Sequence, residues 1–203
     1  LQLQKQTEQA QTLTEQSQAL KKQRRERSRA IQALANQRKT KADQRAALVA
    51  DSKRLRKLIN QLRSQSTALD GKAFARAKGN LPRPLVGKVR HQFGKTRVGT
   101  NLQWRGIDIA GEIGATVTAV FRGQVVFSDW LRGFGLITIV DHGDGFMSLY
   151  GHADTLLKNP GDWVEGGEAV ARAGNSGGSY EPGIYFELRH KGAVENPASW
   201  LAK

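Results

Sequence analysis

The residues that could do chemistry in this chain are few. There is no cysteine, which excludes thiolate metal sites and disulfide bonds. The remaining candidates for metal binding or proton transfer are the carboxylates and four histidines, His91, His142, His152 and His190. Catalytic zinc sites use three protein ligands and a water molecule, so metal-assisted hydrolysis requires three such residues to meet.

The chain is strongly basic, with a formal net charge of +14 over 203 residues. Residues 1–70 hold 16 Lys or Arg and 6 Asp or Glu (+10), and residues 71–203 hold 16 and 12 (+4). This balance favours acidic partners such as nucleic acid, anionic lipid, an acidic protein face or an envelope polymer. The basic cluster at residues 21–27 has no aromatic residue near it for base stacking. We therefore interpret it as a solvated helix face and expect no nucleic-acid partner.

Two regions of different composition must position these residues. Residues 1–66 contain no Gly or Pro, which favours a long helix. We assign residues 1–69 to one arm of a coiled coil, and residues 70–80 to a linker that starts at Asp70-Gly71. Because the chain begins at Leu1 without a signal-peptide pattern, we expect a processed or truncated chain. Leucine recurs every seventh residue, except at Arg27 and Lys41, in the series Leu13, Leu20, Leu34, Leu48, Leu55, Leu62 and Leu69.

From residue 81 onward, short β-rich segments alternate with glycine-containing turns. This part holds 20 of the 22 glycines and all four tryptophans. The pattern predicts a mainly antiparallel β-domain over residues 81–203. The predicted strands are Thr116–Phe121, Gln124–Asp129, Leu136–Asp141, Phe146–Tyr150, Ala169–Ala173 and Ile184–His190.

Several segments between residues 82 and 201 resemble, in the same order, the motifs of the LytM/lysostaphin family of zinc metallopeptidases. WRGIDIA at 104–110 resembles H-x-G-x-D-[IVL]-A, and PGIYFE at 182–187 resembles P-H-x-H-F-E. Tyr150-Gly-His152 resembles Y-x-H, and Asn196-Pro197 resembles the usual ending. The resemblance implies that the β-domain is LytM-like, with the family's duplicated hybrid motif.

The same resemblance implies where zinc and its catalytic partners would lie. The three ligand positions fall on Trp104, Asp108 and Tyr185, and the two catalytic histidine positions fall on His152 and Gly183. An indole offers only a donor N–H, and a neutral phenol is not a usual zinc ligand. We therefore expect no metal, no other cofactor, no catalytic residue and no enzymatic activity.

A coiled coil followed by a LytM-type domain without its zinc ligands resembles the EnvC-type murein hydrolase activators of Gram-negative bacteria. The Trp-[KR]-Gly pattern at 104–106 and the [LI]-Tyr-Phe-Glu-[IL]-Arg pattern at 184–189 carry this resemblance. It implies a non-enzymatic activator in the periplasm, at the division septum. The implied partners are N-acetylmuramoyl-L-alanine amidases that cleave septal peptidoglycan, the FtsE–FtsX complex bound through the coiled coil, and peptidoglycan itself.

The resemblance also implies a partner-binding groove at the former active site. Tryptophan, tyrosine and arginine, which are enriched at interface hot spots, occur among its expected lining residues. Alternatively, Trp104 and Tyr185 fill space vacated by zinc, while Asp108 and His152 are relics joined by a hydrogen bond. The lining residues are expected to be Trp104, Arg105, Asp108, Val140, His152, Tyr185, Glu187 and Arg189.

Two other functions stay open at this point. One is a zinc-dependent peptidoglycan endopeptidase with an unusual site, and the other is a peptidoglycan-binding structural module. His142 lies in a His-Gly turn that the enzymes also carry, so we expect it to be structural. The short linker further suggests the hypothesis that the N-terminal helix folds back over the groove and blocks it.

Overall fold

The structure is a computed structural model that describes residues 23, 40–62, 71–97, 100–178 and 181–202. Residues 40–62 form helix α1, and Lys72–Arg76 form helix α2 within the segment predicted to be a linker. Apart from Gln23 and α1, the predicted coiled-coil arm lies outside the described residues. None of the described helices is long and apolar enough to cross a bilayer. The chain divides into two compact units, Leu1–Gln44 and Arg45–Lys203.

The second unit is built on one large antiparallel sheet. Its main path runs β1-β2-β9-β6-β5-β4-β7, while β10 pairs with β9, and β8 joins β3 to β6. Two 3-10 turns, Ser176–Gly178 and Pro197–Ser199, complete the described elements. The ten strands are β1 Val89–His91, β2 Ile107–Ala110, β3 Thr116–Thr118, β4 Gly123–Leu131, β5 Gly135–Gly143, β6 Phe146–Leu156, β7 Trp163–Val164, β8 Ala169–Ala173, β9 Gly183–His190 and β10 Ala193–Glu195.

The prediction of a mainly antiparallel β-domain is confirmed. All six predicted strands correspond to observed ones, namely β3, β4, β5, β6, β8 and β9; β8 has the predicted ends, and the ends of the other five are shifted. The largest shift is in β6, which continues six residues beyond the predicted end at Tyr150. Strands β1, β2, β7 and β10 were not predicted, and each has only two to four residues.

Side chains alternate between the two faces of a strand, and here both faces of the sheet are buried. We call the larger apolar cluster the main core, which includes Ile109, Val125, Val140, Tyr150, Ile184, Phe186 and Leu188. We call the cluster on the other face the helix-covered core, which consists of Leu55, Ile59, Leu62, Phe134, Ile137, Ile139, Met147, Leu149 and Tyr185.

Helix α1 contributes the apolar stripe that closes the helix-covered core. Leu55, Ile59 and Leu62 are spaced by four and three residues, so they lie on one side of the helix and are all buried. Leu55 and Leu62 belong to the sevenfold leucine series that the sequence assigned to a coiled-coil seam. In the structure these two leucines pack against a sheet of the same chain.

The main core encloses His142 in a network of neutral hydrogen bonds. Its ring stacks on Phe74 of α2 at 4.5 Å, and Nδ1 lies 2.8 Å from the Arg122 carbonyl. Nε2 lies 2.8 Å from Ser148 Oγ, which is 2.9 Å from the Tyr150 hydroxyl. Burial lowers the pKa of His142 to about 4 and raises the pKa of Tyr150 to about 12. This environment agrees with the structural role expected for His142.

Candidate functional site

Two of the residues predicted to form the groove, Asp108 and Tyr185, lie where β1, β2 and β9 run side by side. His91 of β1 is opposite Asp108 of β2, and Asp108 is opposite Tyr185 of β9. Next to Tyr185, strand β6 places Gly151. The antiparallel register therefore sets His91, Asp108 and Tyr185 in one row across three strands.

Asp108 is held by two neighbours that the sequence did not identify. Arg90 Nη2 donates to Asp108 Oδ1 at 2.8 Å, and His91 Nδ1 lies 3.1 Å from Oδ2. The sequence analysis offered a hydrogen bond between Asp108 and His152 as an alternative. In the structure, His152 Nδ1 instead lies 2.8 Å from the Ser176 carbonyl oxygen. Burial lowers the pKa of His152. The two retained residues therefore have separate local partners.

Trp104 lies at the rim of this row and is stacked with basic side chains. The His91 ring is parallel to it within 16°, with centroids 4.4 Å apart, and the Arg97 guanidinium carbon lies 3.9 Å from its centroid. Burial lowers the pKa of Arg97, although the nearby Tyr185 and Glu187 act in the opposite direction. A cation over an indole face gains electrostatic stabilisation, and more so when it is desolvated.

Three polar side chains on one face of β9 form a buried chain of contacts. Tyr185 donates its hydroxyl hydrogen to Glu187 Oε2, and Arg189 Nε donates to Glu187 Oε1 at 2.5 Å. All three are at most 2% exposed. Burial, reinforced by the charge of Glu187, raises the pKa of Tyr185 well above its usual value, which keeps the phenol neutral. Arg189 Nη2 is buried and has no hydrogen-bond partner within the described part of the chain.

Helix α1 packs against two of the residues predicted to line the groove. Tyr185 packs in one cluster with Leu55, Ile59 and Leu62, and Trp104 packs against the edge of that cluster. Glu187 and Arg189 share the Tyr185 face of β9 because side chains alternate along a strand. In this arrangement all three residues are buried.

The other predicted groove residues are distributed differently. Val140 is fully buried in the main core, because alternation along β5 gives the helix-facing position to Ile139. This corrects the expectation that Val140 lines the groove. Arg105 is half-buried next to Trp104 in the sequence. The residues that sequence reasoning missed, Arg90, His91 and Arg97, lie on a three-residue strand and in the loop after it.

The residues at the implied ligand positions do not fit zinc. Trp104 offers an indole donor, the Tyr185 hydroxyl donates to Glu187, and both oxygens of Asp108 face basic side chains. Within the ranges that the structure describes, no group of three His, Cys, Asp or Glu side chains is arranged to hold a metal ion. We therefore derive no hydrolytic step through a metal.

Comparison with known proteins agrees with the fold. Residues 102–197 match the model of Peptidase family M23. The chain is 40% identical over 120 residues to the murein hydrolase activator EnvC of Escherichia coli K12, covering 59% of this chain and 28% of that protein. It is 38% identical over 119 residues to the murein hydrolase activator NlpD of the same strain, covering 58% of this chain and 30% of that protein. The chain thus spans less than a third of the length of either relative.

A solved structure supports the same assignment of the fold. A zinc-containing peptidase from Vibrio cholerae superimposes with a TM-score of 0.55 at 22% identity, covering 60% of this chain and 40% of that chain. At this level of identity the similarity concerns the fold alone. The antiparallel β-domain of this chain contains the segment, residues 102–197, that matches Peptidase family M23, and the sequence resemblance to the LytM and murein hydrolase activator group is confirmed.

Proposed function

We propose that this chain activates peptidoglycan hydrolases without being one, and that its partners are N-acetylmuramoyl-L-alanine amidases of the Gram-negative periplasm at the division septum. One observation carries the proposal: the positions implied for zinc ligands hold Trp104 and Tyr185, which are engaged in stacking and in a hydrogen bond to Glu187. The names of EnvC and NlpD as murein hydrolase activators support it.

The docking face of this proposal is the surface of β9 that faces α1, together with the adjoining Trp104. It combines Trp104 and Tyr185 with the Glu187–Arg189 ion pair, whose side chains are at most 1% exposed. Aromatic and arginine side chains in a desolvated pocket are typical interface hot spots. Arg189 Nη2, buried without a partner among the described residues, is a donor that a carboxylate or carbonyl of a docking segment would satisfy.

Helix α1 gives this face a closed state. Three buried apolar side chains, Leu55, Ile59 and Leu62, hold it on the sheet, and each contributes roughly 1.5–3 kcal/mol of burial free energy. A binding partner shifts such an equilibrium only through its preference for the open state. A shift from 1:99 to 99:1 requires a preference of about 5.5 kcal/mol. In the proposal this preference comes from the FtsE–FtsX complex bound to the coiled coil.

The test is dye release from labelled peptidoglycan by a cognate amidase with and without this protein. We expect the protein alone to release no dye, and Ile59→Glu to raise amidase-dependent release several-fold, because a buried carboxylate disfavours the docked helix. The matched control is Lys57→Glu, which places the same charge on the exposed side of α1. Equal release with both variants would show that α1 does not gate the face.

Two further outcomes would replace the proposal. Dye release by the protein alone that a chelator stops would establish a zinc endopeptidase. Binding to purified sacculi, combined with no effect of wild type or Ile59→Glu on the amidase, would establish a peptidoglycan-binding structural module.

A further inference from the structure

Arg90 reaches Asp108, one of the implied zinc-ligand positions, from the edge of the sheet. Its Nη2 donates to Asp108 Oδ1 at 2.8 Å, and its Nη1 donates to the Pro182 carbonyl at 2.8 Å. Nη1 also lies 3.2 Å from Glu181 Oε2. The Arg90 side chain is 18% exposed and that of Asp108 is 12% exposed, so the contact is largely shielded from solvent. One guanidinium group therefore joins β2 to the segment that leads into β9.

Gly183 makes room for this guanidinium. A Cβ atom at Gly183 would lie 2.7 Å from Arg90 Nη2 and 2.1 Å from the Ile109 carbonyl oxygen, both too close for a real side chain. Gly183 is also the position at which the family resemblance implies a catalytic histidine. The residue that removes the histidine thus also creates the space that Arg90 uses.

We infer that the Arg90 guanidinium is the resident cation of this site, which neutralises Asp108, ties β2 to the start of β9 and excludes a divalent metal ion. The inference rests on the proposed non-enzymatic function. Arginine suits this role because it stays charged under all ordinary conditions and offers several donors in a fixed plane. It has no lone pair to offer a metal, and its charge opposes the entry of a second cation beside Asp108.

The pairing predicts a specific energetic coupling. Removing one partner of a shielded ion pair leaves the other charge uncompensated, whereas removing both does not. In chemical denaturation, Arg90→Met and Asp108→Asn should each raise the unfolding constant. Each variant raises the unfolding constant by some factor relative to the wild type. The factor for the double variant should be at least about tenfold smaller than the product of the two single-variant factors. The matched control is the pair Arg122–Glu165, 3.5 Å apart and largely exposed, for which Arg122→Met and Glu165→Gln should show no coupling.

The exclusion of metal is tested by restoring histidines at the two implied zinc-ligand positions that lack them, in the presence and in the absence of Arg90. Zinc affinity is measured by competition with a chromogenic chelator in Trp104→His/Tyr185→His and in the same variant with Arg90→Met. We expect the variant without Arg90 to bind zinc at least about 100-fold more tightly, because a positive charge next to the metal has been removed. Circular dichroism verifies that both variants fold, and the coupling measurement stands by itself if they do not.

Two results would overturn the inference: equal zinc affinity with and without Arg90, or independent effects of Arg90→Met and Asp108→Asn. Neither result bears on amidase activation, which the dye-release assay on the wild-type chain measures separately. Conversely, coupling with no activation would reject the proposed function and leave Arg90 as the resident cation.

Discussion

Strand β9 presents two different surfaces to the two cores of the β-domain. Toward the main core it places Ile184, Phe186 and Leu188, which are at most 2% exposed and purely apolar. Toward α1 it places Tyr185, Glu187 and Arg189, which are equally buried but joined by hydrogen bonds and an ion pair. Burial is therefore equal on the two surfaces, while the chemistry buried differs.

This difference teaches what each surface is suited to do. The apolar surface gains stability from dispersion and from the removal of nonpolar area from water. The polar surface gains little net stability from its charges, because desolvation offsets their attraction. In the proposed function, a surface of that kind, covered by one helix, exchanges its cover for another protein. The following substitutions would break or sharpen the comparison.

The largest effect is expected on the main-core surface. Phe186→Ala removes a fully buried ring, centred 5.4 Å from that of Tyr150, and should lower the free energy of unfolding by about 4–5 kcal/mol. Urea denaturation followed by circular dichroism measures the loss. The loss should be the same in an Ile59→Glu background, because Phe186 does not face α1. A loss that depends on that background would contradict the separation into two cores.

Next in size is the separation of the buried ion pair. Glu187→Met leaves Arg189 charged and buried without its carboxylate, and should cost about 3–4 kcal/mol. Glu187→Met/Arg189→Met should recover most of this loss, because no uncompensated charge remains. Comparison of the two urea midpoints tests both statements. If the double variant is less stable than Glu187→Met, the pair stabilises the fold directly and the polar surface is not merely tolerated.

Acid should destabilise the folded protein through the protonation of His142. Burial lowers the folded-state pKa of His142 to about 4, from 6.5 in the unfolded chain, so the unfolded state takes up the proton first. The associated stability is complete above pH 6.5 and is lost as the pH falls toward 4, by about 3 kcal/mol in total.

Urea midpoints measured from pH 7 to pH 4 test this dependence. His142→Gln should flatten the profile, whereas the control His190→Gln should retain it. His152 contributes in the same direction because burial lowers its pKa as well. A profile that stays equally steep without His142 would assign the acid sensitivity to another group.

The smallest effect is expected when only the hydroxyl group of Tyr185 is removed and its ring is kept. Tyr185→Phe keeps the ring against α1 but removes the donor to Glu187, and should cost about 2 kcal/mol, as expected for a hydrogen bond to a charged group. In the main core, Tyr150→Phe should lower the free energy of unfolding by about 1 kcal/mol, because the hydrogen-bond partners of Tyr150 are neutral. Matched urea titrations compare the two losses, and the reverse order would falsify the assignment of the charged partner to the α1 side.

Local pattern was enough to predict the central part of the fold. The six predicted strands have the β-branched and aromatic runs that a half-buried or buried strand requires. Strands β1, β2, β7 and β10 were missed because two to four residues carry too little pattern. The leucines of α1 were recognised as an apolar stripe, but such a stripe does not specify whether a helix or a sheet will cover it.

The candidate site was predicted only in part, for a related reason. Trp104, Tyr185, Glu187 and Arg189 were proposed because motif order places them, and the structure brings them close to one another. Arg90 was missed because its partner Asp108 lies 18 residues further along the chain, and nothing in the local pattern marks a guanidinium that crosses to it. Val140 was expected to line the groove, but its neighbour Ile139 occupies the helix-facing position. One position along a strand moves a side chain to the opposite face of the sheet.

The helix over β9 belongs to the same chain as the surface it covers. A tethered competitor has an effective local concentration in the millimolar range, and this does not fall when the protein is scarce. Closure is therefore independent of how many copies a cell makes, whereas the proposed opening by a separate partner depends on the abundance of that partner. Under the proposed function, extra copies of this protein would add silent molecules rather than background activity, and the number of active molecules would follow the supply of the partner that draws α1 away.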